Sequence, residues 1–209
     1  MDARSSSPTN KLQRLFELAA TQAGHFTAAQ ARALGYSARS LVYHVAAGHL
    51  ERVARGFYRL KGVPTDPYED VVAAWIRLKP RHAVVSHDTA LALYALAPSR
   101  TQEIHLMLPR EQRPRTPRSV SGVALHTTIT PLRRDEISRR FGLSLTSPVR
   151  TIVDVADSGT DPSVVIAAVA RALATGLVSR MELRRAANRG SARVRKLVTR
   201  AIAQAHVDA

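Results

Sequence analysis

TAAQARALGYSARSLVYHVAAGHLERVARGFYRL, residues 27–60, decides the fold of the first part of the chain. Thr27 and Ser37 each stand directly before a short run with apolar residues at helical spacing, and small hydroxyl side chains are favoured N-caps. Gly35 and Gly48 follow the same two runs, at the position where a glycine commonly ends a helix. The stretch therefore predicts two short helices, each with a cap and a stop.

The neighbouring residues add a third helix and a hairpin. HLERVARGFYRL has β-type residues on both sides of a turn at Ala54–Gly56, which predicts two antiparallel strands. Upstream, NKLQRLFELAATQAG has helical periodicity, with Asn10 as its expected N-cap and Gly24 as its stop. Three helices followed by a hairpin is the order of a winged helix-turn-helix.

The rest of the chain predicts a mixed α/β domain. Runs of β-type residues alternate with helical runs there, at HAVVS, EIHLMLP, GVALHTT and LSLT. Three further helical runs, each with a cap at its start, follow from residue 161 onward. We expect an α+β fold in three parts: a flexible N-terminus over residues 1–9, a winged helix-turn-helix over 10–63, and a mixed α/β domain over 64–209 that ends in basic helices.

The chain has a strong excess of positive charge. Lys and Arg number 31 and Asp and Glu 16, which gives a formal net charge of +15 and a sequence pI near 11.4. Residues 1–64 hold 9 basic and 3 acidic residues (net +6), residues 65–160 hold 13 and 10 (net +3), and residues 161–209 hold 9 and 3 (net +6). Basic surface gains affinity by releasing counterions from phosphate backbones, so both ends are candidate polyanion-binding surfaces. A basic surface that contacts only solvent is the alternative.

Several classes of site are missing from the sequence. The chain has no cysteine, which excludes disulfides, thiolate metal sites and cysteine nucleophiles. It has neither a glycine-rich phosphate loop nor the Glu-x-Lys pattern of a metal-dependent nuclease on a strand. The N-terminus lacks an apolar signal segment, and no run is long and apolar enough to span a bilayer. We expect a cytoplasmic protein that is not an enzyme, has no cofactor and does not contact a membrane.

Two histidine-containing patterns resemble catalytic or metal sites. SHDTA holds Ser86, His87 and Asp88 in succession, whereas a catalytic triad needs side chains that converge from separate elements. An N-cap serine followed by an aspartate in the first helical turn explains the pattern without catalysis. The second pattern is a set of four histidines without the i, i+4 spacing of a helical metal site: His82, His87, His105 and His126. The sequence therefore predicts no catalytic site and no metal site.

A winged helix-turn-helix would place the helix after Ser37 in the major groove, with its first residues near the bases. Leu41, Val42 and Val45 are expected to face inward on this helix. Arg39, in the first turn, has the fork geometry that reads a guanine edge, and arginines of the hairpin would lie along the backbone or in a minor groove. The candidate DNA-binding residues are Ser37, Arg39, Ser40, Tyr43, His44, Arg52, Arg55 and Arg59.

Four stretches occur in a characteristic order over roughly residues 11–157: FTAAQARALGYSARSLVYHVAAGHLERVARGFYRL, VVSHDTALALYAL, EIHLMLPR and LSLTSPVRTIVDVAD. Jointly they resemble the AbiEi antitoxin family of type IV toxin–antitoxin systems. The combination of the hairpin pattern GxLxRVxRGxY with SHxTAL and TSPxRTxxDxA is specific, whereas each pattern alone is weak.

The resemblance implies a two-domain antitoxin. Its winged helix would bind double-stranded DNA at inverted repeats in its own promoter and repress the operon, as a dimer or as monomers that cooperate on the DNA. Its C-terminal domain would oppose a cognate nucleotidyltransferase toxin. The DNA contacts that the resemblance carries over are Arg39, Ser40, Tyr43, Arg52 and Arg55.

The basic C-terminal helices match no motif of the family. A solvated face, a docking surface for the toxin and a second DNA surface are all open interpretations of Arg184, Arg185, Arg189, Arg193, Arg195 and Arg200. For the whole protein, the alternatives to an antitoxin are a stand-alone winged-helix regulator and a protein-interaction module that reads no DNA.

Overall fold

The structure is a computed structural model that describes residues 8–64, 67–78, 82–98, 101–113 and 122–207. The chain divides into two compact units, residues 1–80 and residues 81–209. Helices and β-strands occur in both, so the expected α+β class is confirmed. Residues 1–7 of the expected flexible N-terminus lie outside the described residues.

The described residues of the first unit form four helices and a three-stranded antiparallel sheet of order β1-β3-β2. The elements in chain order are α1 (Pro8–Ala20), β1 (His25–Thr27), α2 (Ala28–Ala33), α3 (Ala38–Ala46), β2 (Leu50–Ala54), β3 (Phe57–Leu60) and α4 (Glu69–Leu78).

The caps of α2 and α3 form as the sequence predicts. Thr27 Oγ1 accepts a hydrogen bond from the Gln30 amide at 3.2 Å, and the Gln30 side chain accepts one from the Thr27 amide at 2.8 Å. Ser37 Oγ accepts from the Ser40 amide at 3.0 Å. Each cap satisfies an amide that the helix itself leaves without a partner, which fixes where the helix begins.

Two expectations about these helices are wrong. Helix α1 begins at Pro8 rather than after Asn10, because the fixed φ of proline suits a first helical turn. Val42, which was expected to face inward, is 64% exposed. Leu41 alone of its turn enters the core, with Val45 packed against it half-buried.

The core of the first unit draws residues from α1, α2, α3 and all three strands. It contains Leu15, Ala19, Phe26, Ala31, Tyr36, Leu41, Leu50, Tyr58 and Leu60. Full burial of a side chain such as Leu or Phe stabilises a fold by about 1.5–3 kcal/mol, so this cluster holds helices and sheet together.

Helix α4 belongs to the first unit, and the division therefore falls at 80/81 rather than at the expected 63/64. The helix packs on β1 and buries Trp75 and Ile76. Glu69, in its first turn, forms an ion pair with Arg59 of β3 at 2.7 Å. The two prolines between β3 and α4 suggest a domain boundary. They do not indicate that α4 folds back onto β1 and β3.

The second unit contains a mixed sheet of order β6-β5-β4-β8-β7, in which the β5–β6 and β4–β8 pairs are parallel. Its elements are β4 (Val84–Val85), α5 (His87–Leu93), β5 (Ile104–Pro109), β6 (Val123–Thr128), β7 (Ile137–Arg140), β8 (Leu143–Thr146), α6 (Pro148–Asp157), α7 (Pro162–Ala174), α8 (Arg180–Arg189) and α9 (Ala192–Val207). Helices α6 to α9 pack on one another and form the helical end of the chain.

Candidate nucleic-acid interface

Helix α3 turns one continuous stripe toward solvent. Arg39, Val42, Tyr43 and Ala46 recur at i, i+3, i+4 and i+7, which places them on one face. All four are exposed, Tyr43 to 66%. Leu41, 2% exposed, anchors the opposite side in the core and so fixes the rotation of the helix.

The first turn of α3 is electrostatically positive. It contains no acidic residue, and Arg39 adds a full positive charge to the positive end of the helix dipole. The Ser37 hydroxyl oxygen accepts a hydrogen bond from the Ser40 amide, and the hydroxyl hydrogen can still be donated to a ligand. A helix end of this kind suits a phosphate group.

The β2–β3 hairpin has an exposed basic tip. The register shifts between Arg52, which lies opposite Tyr58, and Ala54, so that the hairpin carries a β-bulge just before its turn. Gly56 has φ of +72°, a left-handed conformation that favours glycine at this turn. Arg52 and Arg55 are both exposed. The stripe of α3 together with Arg52 and Arg55 is called the helix–hairpin surface below.

The arginines of the helix–hairpin surface carry uncompensated charge. Among the residues that the structure describes, Arg39, Arg52 and Arg55 form no ion pair with a carboxylate. Charges of this kind are available to a polyanion without first breaking an internal contact.

Arg59 does not belong to this surface, although the sequence placed it among the candidate contacts. Its Nε donates to Glu69 Oε1 at 2.7 Å and its Nη2 donates to the Val63 carbonyl at 3.0 Å. The side chain is only 17% exposed. Arg59 therefore connects β3 to the start of α4, and we leave it out of the proposed interface.

His44 is also largely engaged inside the unit. Its ring is half-buried and makes edge contacts with Tyr36 and Tyr43, at centroid distances of 5.8 Å and 5.5 Å. Its Nδ1 lies 3.4 Å from Nδ1 of His49. The His44 ring therefore packs against Tyr43, and we give it no direct contact with DNA.

Sequence reasoning missed Val42 as a surface residue. A short helix with Leu41, Val42 and Val45 offers two adjacent apolar stripes, and the apolar character of valine alone does not say which one is buried. Its spacing of three residues from Arg39 is the signal that would have found it. An exposed apolar side chain between polar neighbours can contact the methyl group of a thymine.

The six arginines of the C-terminal helices are all exposed: Arg184, Arg185, Arg189, Arg193, Arg195 and Arg200. We call them the C-terminal arginine face. Arg185 and Arg189 line a cleft of about 640 Å³, which also receives the carboxylates of Glu136 and Asp154. Positive and negative groups thus share one cleft here.

The floor of this cleft is a partly buried ion-pair network, in which Asp154 is the most buried member. Arg150 donates to Asp154 Oδ1 at 2.7 Å and to Glu136 Oε1 at 3.0 Å. Asp154 Oδ2 is buried and accepts no hydrogen bond from any described residue. Burial raises the pKa of the Asp154 carboxyl to about 6, although the Arg150 guanidinium acts in the opposite direction.

The segment that contains the helix–hairpin surface matches a family of transcriptional regulators. Residues 13–61, from α1 through the hairpin, match the family model described as "Transcriptional regulator, AbiEi antitoxin". The resemblance to AbiEi antitoxins is confirmed over this segment.

The whole chain is similar to the RV2827C protein from Mycobacterium tuberculosis, whose crystal structure has been solved. The two share 14% sequence identity at a TM-score of 0.61, over 95% of this chain and 78% of that one. At this identity the likeness concerns the fold alone. A comparison with curated protein sequences finds no match. Within the described residues, no helix has the length and apolar character needed to cross a membrane.

Proposed function

We propose that residues 10–63 form a winged helix-turn-helix that binds double-stranded DNA. In this proposal α3 lies in the major groove and the β2–β3 hairpin lies along the neighbouring backbone. The observation that carries it is the helix–hairpin surface: an exposed stripe on a capped helix, next to an exposed basic turn, where Arg39, Arg52 and Arg55 pair with no carboxylate that the structure describes.

The residues of the surface have different roles in the proposal. Arg39 reads a guanine edge, while Val42 and Tyr43 contact bases or sugars beside it. Ser37 and Ser40 position the helix on phosphate groups. Arg52 and Arg55 bind phosphates and set the register of the protein on the duplex. Phosphate contacts raise the affinity for every DNA sequence, whereas the base contact of Arg39 discriminates among sequences.

We further propose that the protein is the antitoxin of a type IV toxin–antitoxin system. It represses its own operon at inverted repeats, as a dimer or as cooperating monomers, and its second unit opposes a cognate nucleotidyltransferase toxin. The family match over residues 13–61 supports this proposal. Because promoter DNA and toxin are both cytoplasmic in such a system, the protein acts in the cytoplasm.

In this proposal the C-terminal arginine face meets a protein partner rather than a second DNA duplex. Arg185 and Arg189 share their cleft with Glu136 and Asp154, and these carboxylates would repel phosphate. A protein surface with both signs of charge complements such a cleft better than a uniform polyanion does.

A stand-alone transcriptional regulator is the second candidate function. It is favoured by the extent of the family match, which covers residues 13–61 and none of the second unit. DNA binding is common to both candidates, so only the partner distinguishes them.

A mobility-shift titration with the DNA upstream of the gene tests the DNA-binding step. We expect the wild type to shift this DNA more tightly than a scrambled duplex of equal length, and the double variant Arg39→Ala/Arg55→Ala to lose that preference. Arg171→Ala, an exposed arginine on α7, removes a charge elsewhere and is the matched control. Equal binding by the wild type and the double variant would contradict the proposed interface.

Co-expression with the neighbouring reading frame tests the antitoxin step. If that frame encodes a nucleotidyltransferase-like protein that arrests growth, the wild-type chain is expected to restore growth. A pull-down of the two proteins then shows whether rescue involves direct contact. Growth arrest that this chain does not relieve would leave the stand-alone regulator as the function.

A further inference from the structure

Three histidines that are far apart in the sequence meet in the second unit. His87 begins α5, His105 lies on β5 and His126 lies on β6. The parallel register pairs Met107 with His126 and His105 with Ala124, so that the two histidine side chains project from the same face of the sheet. Each ring offers one nitrogen, and the three nitrogens lie within 4.8 Å of one another.

The distances within this histidine cluster are close to those of a metal site. His105 Nδ1 lies 3.0 Å from His126 Nε2, and the rings of His87 and His126 stack at a centroid distance of 3.5 Å. Two imidazoles on one tetrahedral Zn²⁺, with Zn–N near 2.0–2.1 Å, have their nitrogens roughly 3.3 Å apart. The His105–His126 pair is thus within a few tenths of an ångström of that spacing, whereas His87, whose ring stacks on His126, has to rotate to direct its nitrogen at a shared ion.

Hydroxyl groups hold the outer nitrogens of two of the rings. Ser86 Oγ lies 2.9 Å from His87 Nδ1, and Thr101 Oγ1 lies 3.1 Å from His105 Nε2. The other nitrogen of each ring, His87 Nε2 and His105 Nδ1, is then the one that can face the other histidines. A metal-bound histidine commonly has a second hydrogen bond of this kind, which fixes its tautomer and ring orientation.

Burial and neighbouring positive charge disfavour the protonated form of two of the three rings, His87 and His126. Burial lowers the pKa of His87 to about 3, and the nearby His126, His105 and Arg150 act in the same direction. Burial, together with His105, lowers the pKa of His126 to about 4, although Asp88 acts in the opposite direction. His105 and His126 are only half-buried, so an ion from solvent has access.

We propose that His87, His105 and His126 bind one divalent transition-metal ion of the zinc class. A ligand set of three imidazole nitrogens favours Zn²⁺, Co²⁺ or Ni²⁺, because Mg²⁺ and Ca²⁺ prefer oxygen ligands. The ion connects the start of α5 to β5 and β6, with a fourth position left for water or another ligand. The spacing of these histidines along the chain does not reveal the cluster, because they come from three separate elements.

Calorimetric titration of the EDTA-treated full chain, produced without a polyhistidine tag, with Zn²⁺ tests the proposal. We expect one ion per chain. At a hundredfold excess of ion over its dissociation constant, the thermal midpoint is expected to rise by roughly 5–10 °C. A titration that shows no bound Zn²⁺ would overturn the proposal.

Variants assign the ligands. His126→Gln and His105→Gln, both at half-buried positions, are expected to weaken Zn²⁺ binding at least tenfold and to abolish the midpoint shift. His82→Gln, at an exposed histidine of the same unit, is expected to bind like the wild type. Equal binding by all three variants means that the ion sits elsewhere and refutes the site.

Co²⁺ provides a test that does not depend on the folding of any variant. Bound to the wild type in a tetrahedral site, it is expected to give strong visible absorption, which added Zn²⁺ should remove. Weak absorption typical of octahedral Co²⁺ would show that the three histidines form only a hydrogen-bonded chain. That outcome would also overturn the proposal.

Discussion

The helix–hairpin surface and the C-terminal arginine face come from segments of equal formal charge, since residues 1–64 and residues 161–209 are each net +6. Their neighbours differ. Arg39, Arg52 and Arg55 have no internal ion pair among the described residues. Arg185 and Arg189 share a cleft with Asp135 and Glu136, and the pKa of the Asp135 carboxyl is lowered mainly by the hydrogen bond from Arg133, with a small contribution from Arg189.

The difference shows that the number of arginines does not identify a nucleic-acid surface. Counterion release depends on the positive potential that phosphate meets, and nearby carboxylates reduce that potential. The first region places its positive charges on a rigid helix and turn, whereas the second combines them with acids around a cleft. Four predictions sharpen this contrast.

Asp154→Asn is expected to have the largest effect, on the pH dependence of stability. With the usual pKa of 3.8 raised to about 6 by burial, the folded state holds this proton more tightly than the unfolded state does. The contribution to stability is thus present below pH 3.8 and is lost as the pH rises toward 6. This shift of about two units corresponds to about 3 kcal/mol.

Urea unfolding at pH 4, 5, 6 and 7, followed by circular dichroism, measures this dependence. The free energy of unfolding of the wild type, minus that of Asp154→Asn, should fall by about 2.4 kcal/mol from pH 4 to pH 7, because the unfolded carboxyl is already partly ionised at pH 4. Glu51→Gln, at an exposed carboxyl of the first unit, is the control. A difference that stays constant over this range would show that Asp154 is ionised throughout and that the floor of the cleft is fully charged.

Arg39→Ala is expected to cost roughly 1–3 kcal/mol of binding free energy on the specific DNA site and less on a scrambled duplex. The reason is that a bidentate contact to a base edge discriminates among sequences, in addition to its charge. Competition titrations with both duplexes give the two values. Equal losses on both would place Arg39 on the backbone rather than on a base.

Arg55→Ala is expected to weaken binding to all duplexes alike. Loss of one phosphate contact should reduce the slope of log affinity against log salt by about 0.9. Titrations at four salt concentrations between 50 and 200 mM, with Arg171→Ala as control, measure the slope. An unchanged slope would mean that the hairpin tip does not touch the DNA.

Arg189→Ala is expected to have the smallest effect, a change in DNA affinity of less than about twofold with an unaltered salt slope. Its charge lies in a cleft that Asp135, Glu136 and Asp154 also line, so the positive potential there is lower than at Arg55. The salt titration used for Arg55→Ala applies here too. If Arg189→Ala lowers the slope as much as Arg55→Ala, the contrast between the two regions fails.

Local features of the fold could be predicted from the sequence. Thr27 and Ser37 were identified as caps because a hydroxyl side chain satisfies an amide only a few residues away. The α+β class followed from the alternation of strand and helix patterns.

Features that depend on distant parts of the chain could not be predicted. Arg59 looked like a free hairpin residue, because nothing in its neighbourhood indicates that Glu69 of α4 packs beside it. The histidine cluster depends on the register between β5 and β6 and on where α5 begins. Val42 was misplaced because a helix of nine residues leaves its rotation to tertiary packing.

The parallel pairing of β4 with β8 has a consequence for synthesis of the chain. Val85 lies opposite Leu145, sixty positions further along, so the middle of the sheet stays incomplete while those residues are made. At bacterial translation speeds of 5–20 residues per second, this interval lasts roughly 3–12 s. A ribosome would therefore present a finished first unit for several seconds before the second unit can close, and chaperones would meet the exposed apolar edge of β4 during that time.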